Sequence, residues 1–362
     1  MRVLVAMSGG VDSSVAAALL LEQGHDVAGV TLKLWGGASD SGCCSVADVE
    51  DARRVAQQLG IDHWVFGFTD DFDARVVDPY VAAHAAGRTP NPCVECNRHL
   101  KFGRLLRRAQ QLGFDAIATG HHARVVHAAS PFGHGAGGRA RLYRGADRAK
   151  DQSYVLHVVG GDELARCLFP VGDITKAEVR ERAQALGLRT AGKPDSQDVC
   201  FVTATGGRTT FLGDRIALRP GRVVDTAGAE VGRVDAVELV TVGQRRGLGG
   251  GGGERRYALS VDTATATVVA GSLDDLLTDT IEVQDLVWRD GPGLPSSLEV
   301  QCSAHGRAVQ GWVDGSTVHL AERQRRVAPG QSVVLYRGDE VVGGAVAAVL
   351  PAAGHPGQAC TA

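Results

Sequence analysis

The sequence predicts an α/β fold in the N-terminal half of the chain and β-rich structure in the rest. Up to about residue 205, apolar runs of strand length alternate with stretches of helical periodicity, which is typical of a parallel sheet covered by helices. From about Pro220, short apolar runs follow one another without helices between them, which favours a small barrel. A length of 362 residues suits two or three domains.

These patterns divide the chain into four parts. We expect an α/β domain over 1–205, a small central domain over 206–275, a β-barrel over 276–352 and a disordered tail over 353–362. The Gly- and Ala-rich stretch 128–140 is expected to be a flexible surface loop. The five-glycine run 249–253 is too flexible to form part of a core.

Each element follows from its apolar spacing and from the residues that end it. The predicted strands of the first domain are Arg2–Met7, Val27–Leu34, His63–Phe68 and Phe114–Thr119, and the predicted helices are Ser14–Glu22, Ser45–Leu59, Asp70–Ala86 and Cys96–Leu112. Gly24 and Gly60 are helix stop signals, and Pro79 is expected to break or bend the third helix. The predicted later strands are Arg222–Val224, Val237–Thr241, Tyr257–Val261, Thr267–Ala270, Glu282–Trp288, Leu298–Ser303, Ala308–Val313, Thr317–Glu322, Val333–Tyr336 and Val341–Val349.

The turn between the first strand and the first helix has the composition of a phosphate-binding loop. It reads Ser8-Gly9-Gly10-Val11-Asp12-Ser13. Adjacent glycines allow backbone N–H groups to approach an anion, and the start of a helix favours negative charge. The hydroxyl groups of Ser8, Ser13 and Ser14 add donors, and Asp12 could lie near a bound magnesium ion or cap the helix. No Gly-Lys-Ser/Thr follows the glycines, which excludes a Walker A loop.

Composition and charge exclude several classes of protein. Hydrophobic residues make up 44% of the chain and charged residues 22%, as in ordinary globular proteins. No apolar run reaches the roughly 18 residues that span a bilayer, and the first strand leaves no room for a signal peptide. We therefore expect a cytoplasmic protein without a membrane partner. The net charge of −3 means that a nucleic acid would have to be bound by local patches.

The eight cysteines suggest reactive thiols rather than structural disulfides, because the chain shows no sign of secretion. Cys93 and Cys96 form a C-x-x-C motif that enters a predicted helix, where a helix start would lower the pKa of Cys96. Cys200 lies in a polar, proline-containing stretch. A single C-x-x-C is a weak zinc signal, and the adjacent Cys43 and Cys44 are poorly placed to complete a tetrahedral site. Cys167, Cys302 and Cys360 are expected to be ordinary small apolar residues.

An ordered set of motifs gives the chain a family resemblance. Ser8–Ser13 resembles the PP-loop of the N-type ATP pyrophosphatases, which cleave ATP between its α- and β-phosphates and adenylate a carbonyl oxygen. Together with six further segments in order, it resembles the bacterial tRNA-specific 2-thiouridylases. The six segments are Gly87–Cys93, Cys96–Phe102, Ala118–His121, Lys150–Tyr154, Ser196–Phe201 and Gly243–Leu248.

The resemblance implies an enzyme that uses ATP with Mg²⁺ to replace O2 of the wobble uridine with sulfur in tRNAs for lysine, glutamate and glutamine. It implies that Cys200 carries a persulfide, that Cys96 is a nucleophile and that a transient Cys96–Cys200 disulfide forms. The implied ATP-binding residues are Ala6, Met7, Ser8, Gly9, Gly10, Val11, Asp12, Ser13, Leu32 and Gly120.

The resemblance also implies partners and an RNA-binding surface. The partners are tRNA, a donor of persulfide sulfur (a cysteine desulfurase or a relay protein) and a reductant. The implied tRNA-binding residues are Asn91, Pro92, Cys93, His121, Lys150, Asp151, Gln152, Ser303, Ala304 and Gln331. Arginines at 139, 141, 144 and 148 precede Lys150 and could add phosphate contacts, whereas the run at 323, 325 and 326 reads equally well as a solvated face.

Two positions depart from the family pattern and leave alternatives open. Some members carry an aspartate, proposed to shuttle protons, where this chain has Cys93, so this thiol is an auxiliary candidate with an open role. Ser303-Ala304 stands where many members carry an arginine. Cys93, Cys96 and Cys200 could instead hold an iron–sulfur cluster, as in related tRNA thiolases. Two further alternatives are a PP-loop ligase acting on a small metabolite and a non-catalytic RNA-binding protein.

Overall fold

The computed structural model describes residues 1–34, 45–127, 140–195, 199–249, 255–289 and 297–349, apart from the side chains of residues 203 and 204. Its strands are β1 (Arg2–Ala6), β2 (Asp26–Lys33), β3 (His63–Gly67), β4 (Ala116–Thr119), β5 (Ala123–His127), β6 (Ala140–Arg144), β7 (Cys167–Leu168), β8 (Gly221–Val224), β9 (Glu230–Val234), β10 (Tyr257–Asp262), β11 (Thr267–Gly271), β12 (Leu277–Trp288), β13 (Leu298–Gln301), β14 (Val309–Asp314), β15 (Thr317–Arg325), β16 (Ser332–Arg337) and β17 (Glu340–Ala347).

The helices concentrate in the first half of the chain. They are α1 (Val11–Glu22), α2 (Val46–Leu59), α3 (Thr69–Phe72), α4 (Asp78–Ala85), α5 (Pro92–Glu95), α6 (Leu106–Gln111), α7 (Ser153–Leu156), α8 (Gly161–Leu164), α9 (Lys176–Ala185), α10 (Cys200–Ala204), α11 (Arg208–Gly213) and α12 (Leu273–Leu276), with π-helical segments at Asp73–Val77 and Cys96–Leu105 and a 3₁₀ turn at Val237–Leu239. Among the described residues, no helix combines the length and apolar character needed to cross a bilayer.

A five-stranded parallel sheet forms the N-terminal domain, in the order β3-β2-β1-β4-β7. Successive residues of β1 are buried on opposite faces. Leu4 packs with Phe72 and Leu105 on one face, whereas Val3 and Val5 pack with residues of α1, α2 and α9 on the other. A strand covered on both faces must be apolar throughout. The predicted parallel α/β domain is confirmed.

The rest of the chain is β-rich, as predicted, and most of its strand pairs are antiparallel. A four-stranded central sheet has the order β10-β11-β8-β9, in which β8 and β11 pair in parallel. The C-terminal sheet closes on itself because β12 pairs with both β15 and β17, which makes a six-stranded barrel. The hairpin β5–β6 of the N-terminal region joins this sheet through a pairing of Tyr143 with Glu340. The stretches 128–139, 250–254 and 350–362 lie outside the described residues. They contain most of the predicted surface loop, most of the glycine run and the predicted tail.

Three element predictions were wrong in detail. Val237–Thr241 was expected to be a strand but contains the 3₁₀ turn Val237–Leu239, and β9 was not predicted. The first helix begins at Val11, three positions before the predicted start, because Gly10 is its N-cap. Pro79 was expected to break or bend its helix. The chain stays helical through this residue, but the π-helical segment Asp73–Val77 interrupts the regular α-helical hydrogen bonding immediately before α4.

Buried polar contacts join the N-terminal domain to the barrel. The Arg144 guanidinium donates to Asp151 at 3.1 Å and to Gln301 at 2.7 Å, and it lies 3.5 Å from the centre of the Tyr336 ring. The Tyr154 hydroxyl donates to the Ser332 carbonyl at 2.8 Å. Buried polar groups that are satisfied across an interface hold two domains in a defined orientation.

Replacing Tyr154 with Phe tests this junction. We expect the free energy of unfolding to fall by about 1–3 kcal/mol, because the buried Ser332 carbonyl loses its donor. Urea titrations followed by tryptophan fluorescence would measure the change. Tyr143→Phe is the matched control, since the Tyr143 hydroxyl bonds to no described residue. An equal loss in the control would contradict a special role for the Tyr154 hydroxyl.

Candidate active site

The loop between β1 and α1 has the geometry of an anion site. Gly10 is the N-cap of α1 and provides no side chain to the N–H groups of the first helical turn, which therefore point toward any ligand at the loop. Ser13 donates its hydroxyl to the Gly10 carbonyl at 3.1 Å, and Ser14 does so at 2.8 Å. The Ser8 N–H donates to the Ser13 hydroxyl at 3.2 Å. Two of the three predicted hydroxyl donors thus shape the loop itself.

Two glycines let other backbone segments approach this loop closely. Gly9 has a φ of +72°, and a Cβ there would overlap the carbonyl group of Asp48 in α2. A Cβ on Gly120, just after β4, would lie 2.5 Å from the Ser13 nitrogen. Leu32, near the end of β2, is 7% exposed. The structure therefore brings the predicted ATP-binding positions of β1, β2 and β4 to one end of the sheet, where ligands bind in open α/β sheets.

Asp12 is the charged centre of the loop. It does not cap the helix. Its two carboxylate oxygens accept hydrogen bonds from Lys176 at 2.6 and 2.7 Å, and one also contacts His122 at 3.1 Å. Burial alone would raise the pKa of Asp12, but the hydrogen bonds from His122 and Lys176 outweigh it, and the pKa lies below its ordinary value. The ionised carboxylate would suit a Mg²⁺ ion, whose charge would offset that of the phosphates.

Lys176 extends this network toward Cys200. Its ammonium group also lies 2.9 Å from Asp195, which in turn accepts from Lys150 at 2.7 Å and from Arg180 at 2.8 Å. Burial would raise the pKa of Asp195, but the hydrogen bonds from Lys150 and Lys176 lower it to about 2. Sequence reasoning missed Lys176. One feature of the sequence could have indicated it: Lys176 follows Thr175 of a capping box with Glu178 and so stands in the first turn of a helix. The helix dipole disfavours a cation at that position, which suggests another role for the lysine.

The cysteine pair lies on a continuous helical stretch that begins at Pro92. The Asn91 side chain caps this stretch by accepting the N–H of Cys93 at 3.1 Å. Cys93 is exposed in the first turn, whereas Cys96 is half-buried one turn later, where α5 has passed into a π-helical segment. The helix start was expected to act on Cys96. That expectation was wrong, since the helix begins four residues earlier.

Cys200 is the first residue of α10 and is half-buried. Cys96 and Cys200 both pack against the same hydrophobic core cluster. The ring of Phe201 contacts those of Phe72 and Tyr80, each at 5.5 Å, on the helical stretch 69–85. The helix α5 packs against that stretch as well. The two candidate thiols therefore belong to elements that share one supporting helix.

The loop before Cys93 is held by both other domains. The Thr89 N–H donates to the Pro329 carbonyl at 2.8 Å, and the Gln331 side-chain amide donates to the Thr89 carbonyl. The Thr89 hydroxyl contacts that of Thr241 at 3.4 Å in the central domain. Gly87, at a φ of +68°, lies against Val261 and Thr263 of the central domain. The barrel and the central domain thus position the cysteine loop.

Three of the predicted tRNA-binding residues are engaged in contacts within the protein. The Asp151 side chain is 7% exposed and accepts hydrogen bonds from Arg144, from the Gly145 N–H and from Ser153, and Gln152 accepts the His122 N–H at 2.9 Å. His121 is 7% exposed, and burial lowers its pKa well below the ordinary value.

Two of the predicted tRNA-binding residues, Asp151 and Ala304, line a cleft of about 420 Å³ between the first and third domains. Ala149 and His305, which were not predicted, lie beside them in the lining. Ser303 is exposed nearby, and its carbonyl accepts from Gln301 at 2.9 Å. The predicted contact segments of the first and third domains therefore face the same space.

Some predicted residues cannot be located. Cys43, Cys44, Arg139 and the segment 196–198 lie outside the described residues. Within the described part of the chain, no three or more Cys, His, Asp or Glu side chains are grouped so as to hold a metal ion. Cys93, Cys96 and Cys200 therefore do not form a ready-made ligand set for an iron–sulfur cluster in this conformation.

Comparison with known proteins gives matches along nearly the whole chain. Residues 1–204 match the family described as tRNA methyl transferase HUP domain, 209–272 the tRNA methyl transferase PRC-barrel domain, and 278–347 the aminomethyltransferase beta-barrel domain.

Three curated relatives carry the name tRNA-specific 2-thiouridylase MnmA. The protein of Roseiflexus sp. (strain RS-1) is 45% identical over 95% of this chain and 98% of its own length. That of Chloroflexus aurantiacus (strain ATCC 29366 / DSM 635 / J-10-fl) is 47% identical over 95% and 97%. That of Mycobacteroides abscessus is 46% identical over 96% and 99%.

A Gly9→Ala substitution tests the close approach at the loop. We expect at least about a tenfold loss of affinity for ATP, because the new methyl group must displace the α2 backbone and a positive φ is strained for alanine. Isothermal titration calorimetry would measure the affinity. Gly24→Ala is the matched control: it has a φ of +79° but no atom within 4 Å of its Cβ position. If both variants bound ATP as the wild type does, the crowded loop would not be a nucleotide site.

Proposed function

The chain belongs to the family of tRNA-specific 2-thiouridylases, and from this premise we propose that it uses ATP to convert the wobble uridine of tRNA to 2-thiouridine. The observation that carries the proposal is the PP-loop at one end of the parallel sheet, crowded by Gly9 and Gly120 and linked by Lys176 to the stretch that leads to Cys200. The proposed substrates are the tRNAs for lysine, glutamate and glutamine.

The first proposed step is adenylation of the base. O2 of uracil attacks the α-phosphorus of ATP, the bond between the α- and β-phosphates breaks, and pyrophosphate leaves. The N–H groups at the start of α1 would hold the phosphates together with Lys176, a buried cation that donates to Asp12 of the loop. The resulting phosphate ester makes C2 electrophilic and provides AMP as a leaving group. The base must leave the anticodon stack to expose C2.

The second proposed step transfers sulfur from a persulfide on Cys200. In one order, Cys96 attacks the inner sulfur of the persulfide, releases hydrosulfide and forms a Cys96–Cys200 disulfide. Hydrosulfide then attacks C2 and AMP leaves. In the other order, the terminal sulfur attacks C2 directly and AMP leaves, so that the base is held on Cys200 through an S–S bond. Cys96 then attacks the Cys200 sulfur, that S–S bond breaks, and 2-thiouridine is released. Both orders end in the same disulfide, which a reductant must open with two electrons.

Three further features bear on how tRNA, Cys93 and the sulfur donor would take part in the proposed reaction. The cleft lined by Ala149 and Ala304 suits tRNA contacts from two domains at once. Cys93 is exposed in the first turn of α5, where it could take part as an auxiliary thiol in place of the aspartate of some relatives. The sulfur donor would have to reach Cys200, which is half-buried.

Two other classes of function make different predictions. A PP-loop ligase acting on a small metabolite would not need Cys96 or Cys200. A non-catalytic RNA-binding protein would release no pyrophosphate when unmodified tRNA is added. Pyrophosphate release that depends on tRNA, together with loss of product in cysteine variants, would exclude both.

Cysteine variants give the sharpest test. We expect Cys200→Ser and Cys96→Ser each to lower ATP-dependent incorporation of labelled sulfur into tRNA by about 100-fold or more, because a hydroxyl can neither carry nor resolve a persulfide. Thin-layer analysis of digested tRNA would measure 2-thiouridine. Cys167→Ser is the matched control, since Cys167 is buried away from the loop and its thiol donates to the Glu163 carbonyl at 2.9 Å, which a serine can also do. Full labelling in Cys200→Ser would reject the persulfide role.

A further inference from the structure

A buried lysine connects the ATP-binding loop to the chain that leads to Cys200. The ammonium group of Lys176 contacts both oxygens of Asp12 and one oxygen of Asp195, and its side chain is 10% exposed. Asp12 belongs to the loop, whereas Asp195 lies five positions before Cys200 in the chain. One cation is therefore shared between the two places where the proposed reaction needs its reactants.

The backbone on the Cys200 side is fastened to the same helix. Arg180 of α9 donates to the Ala191 carbonyl at 2.8 Å, to the Lys193 carbonyl at 3.1 Å and to the Asp195 carboxylate at 2.8 Å. Lys176 is the first residue of α9. The two cations on α9 thus hold both the loop and the segment 191–195, whose last residue lies five positions before Cys200 in the chain.

We propose that Lys176 and Asp195 are positioning residues that couple the ATP-binding loop to Cys200, so that adenylation of the base and delivery of sulfur proceed one-to-one. This inference rests on the function proposed above. Bound triphosphate would compete with Asp12 for Lys176, because both are anions and the ammonium group belongs to a side chain that is only 10% exposed. A change in the contact between the Lys176 ammonium group and Asp12 would therefore also change its contact with Asp195.

The coupling matters because a uridine adenylate that receives no sulfur is lost to water. Such a loss would consume ATP and regenerate uridine. An enzyme in which ATP occupancy also sets the position of the sulfur-bearing segment avoids that waste. A merely structural ion pair would affect stability but would leave the ratio of pyrophosphate to product unchanged.

The test is the ratio of pyrophosphate released to 2-thiouridine formed, with persulfide-loaded enzyme, ATP and unmodified tRNA transcript. We expect a ratio near one in the wild type. In Asp195→Asn we expect pyrophosphate release within about threefold of wild type and 2-thiouridine lowered about tenfold or more, which raises the ratio about tenfold. Asp195→Glu keeps the carboxylate and should bring the ratio back toward the wild-type value.

Glu238→Gln is the matched control. Glu238 pairs with Arg219 at 2.9 Å, and this ion pair belongs to the central domain rather than to α9 or the segment 191–195. Glutamine keeps an oxygen that can accept the Arg219 backbone N–H. We expect its ratio to stay near one. An unchanged ratio in Asp195→Asn, or an equal rise in Glu238→Gln, would overturn the assignment.

A second variant covers the case in which Asp195→Asn does not fold. Lys176→Gln removes the bridge from its other end and should also raise the ratio, even if pyrophosphate release slows, because the ratio does not depend on the absolute rate. A ratio near one in Lys176→Gln would overturn the proposal. If the wild type releases pyrophosphate but forms no 2-thiouridine, the function proposed above fails as well. If the wild type forms 2-thiouridine and both variants keep a ratio near one, only the positioning role is refuted.

Discussion

The fold of the N-terminal domain depends on a close approach of three backbone segments that leaves no room for a side chain at two positions. Three segments meet at the PP-loop: the loop itself at Gly9, the start of α2 at Asp48, and the end of β4 at Gly120. A Cβ at either glycine would push these segments apart by more than a close-packed interior tolerates. The helix N-terminus can therefore face a ligand only while the sheet order and the position of α2 are maintained.

The same dependence extends to the other two domains. The Thr89 residue of the cysteine loop is held through both its N–H and its carbonyl by the barrel. Loops that carry reactive groups need a rigid scaffold around them. The family resemblance assigns Gln331 to tRNA binding, but its side-chain amide donates to the Thr89 carbonyl in this structure. We therefore expect Gln331 to influence the proposed reaction through the placement of the loop that leads to Cys93 and Cys96.

Sequence patterns predicted the architecture because strand alternation, the glycine turn and the late run of short strands are local signals. They also located the loop at 8–13 and the helix that carries Cys96, but not α10, which begins at Cys200. They failed at Val237–Thr241, where an apolar run of strand length forms a 3₁₀ turn against the first domain. They could not find Lys176, because its partners Asp12 and Asp195 are distant in sequence and only the packing of α9 against α1 brings them together.

The network at the loop makes the net charge of −3 a poor guide to the ligands proposed for this chain. Lys176, Lys150 and Arg180 pair with the carboxylates of Asp12 and Asp195, and both carboxyl pKa values are lowered. The Asp147 carboxylate also accepts the backbone N–H of Lys176 at 3.0 Å. These three cations and three carboxylates balance one another, so the field beside the loop is set by a few side chains and by the N–H groups at the start of α1 rather than by the charge of the whole chain. In the proposed reaction, Lys176 would share its charge between the ionised Asp12 and a bound triphosphate.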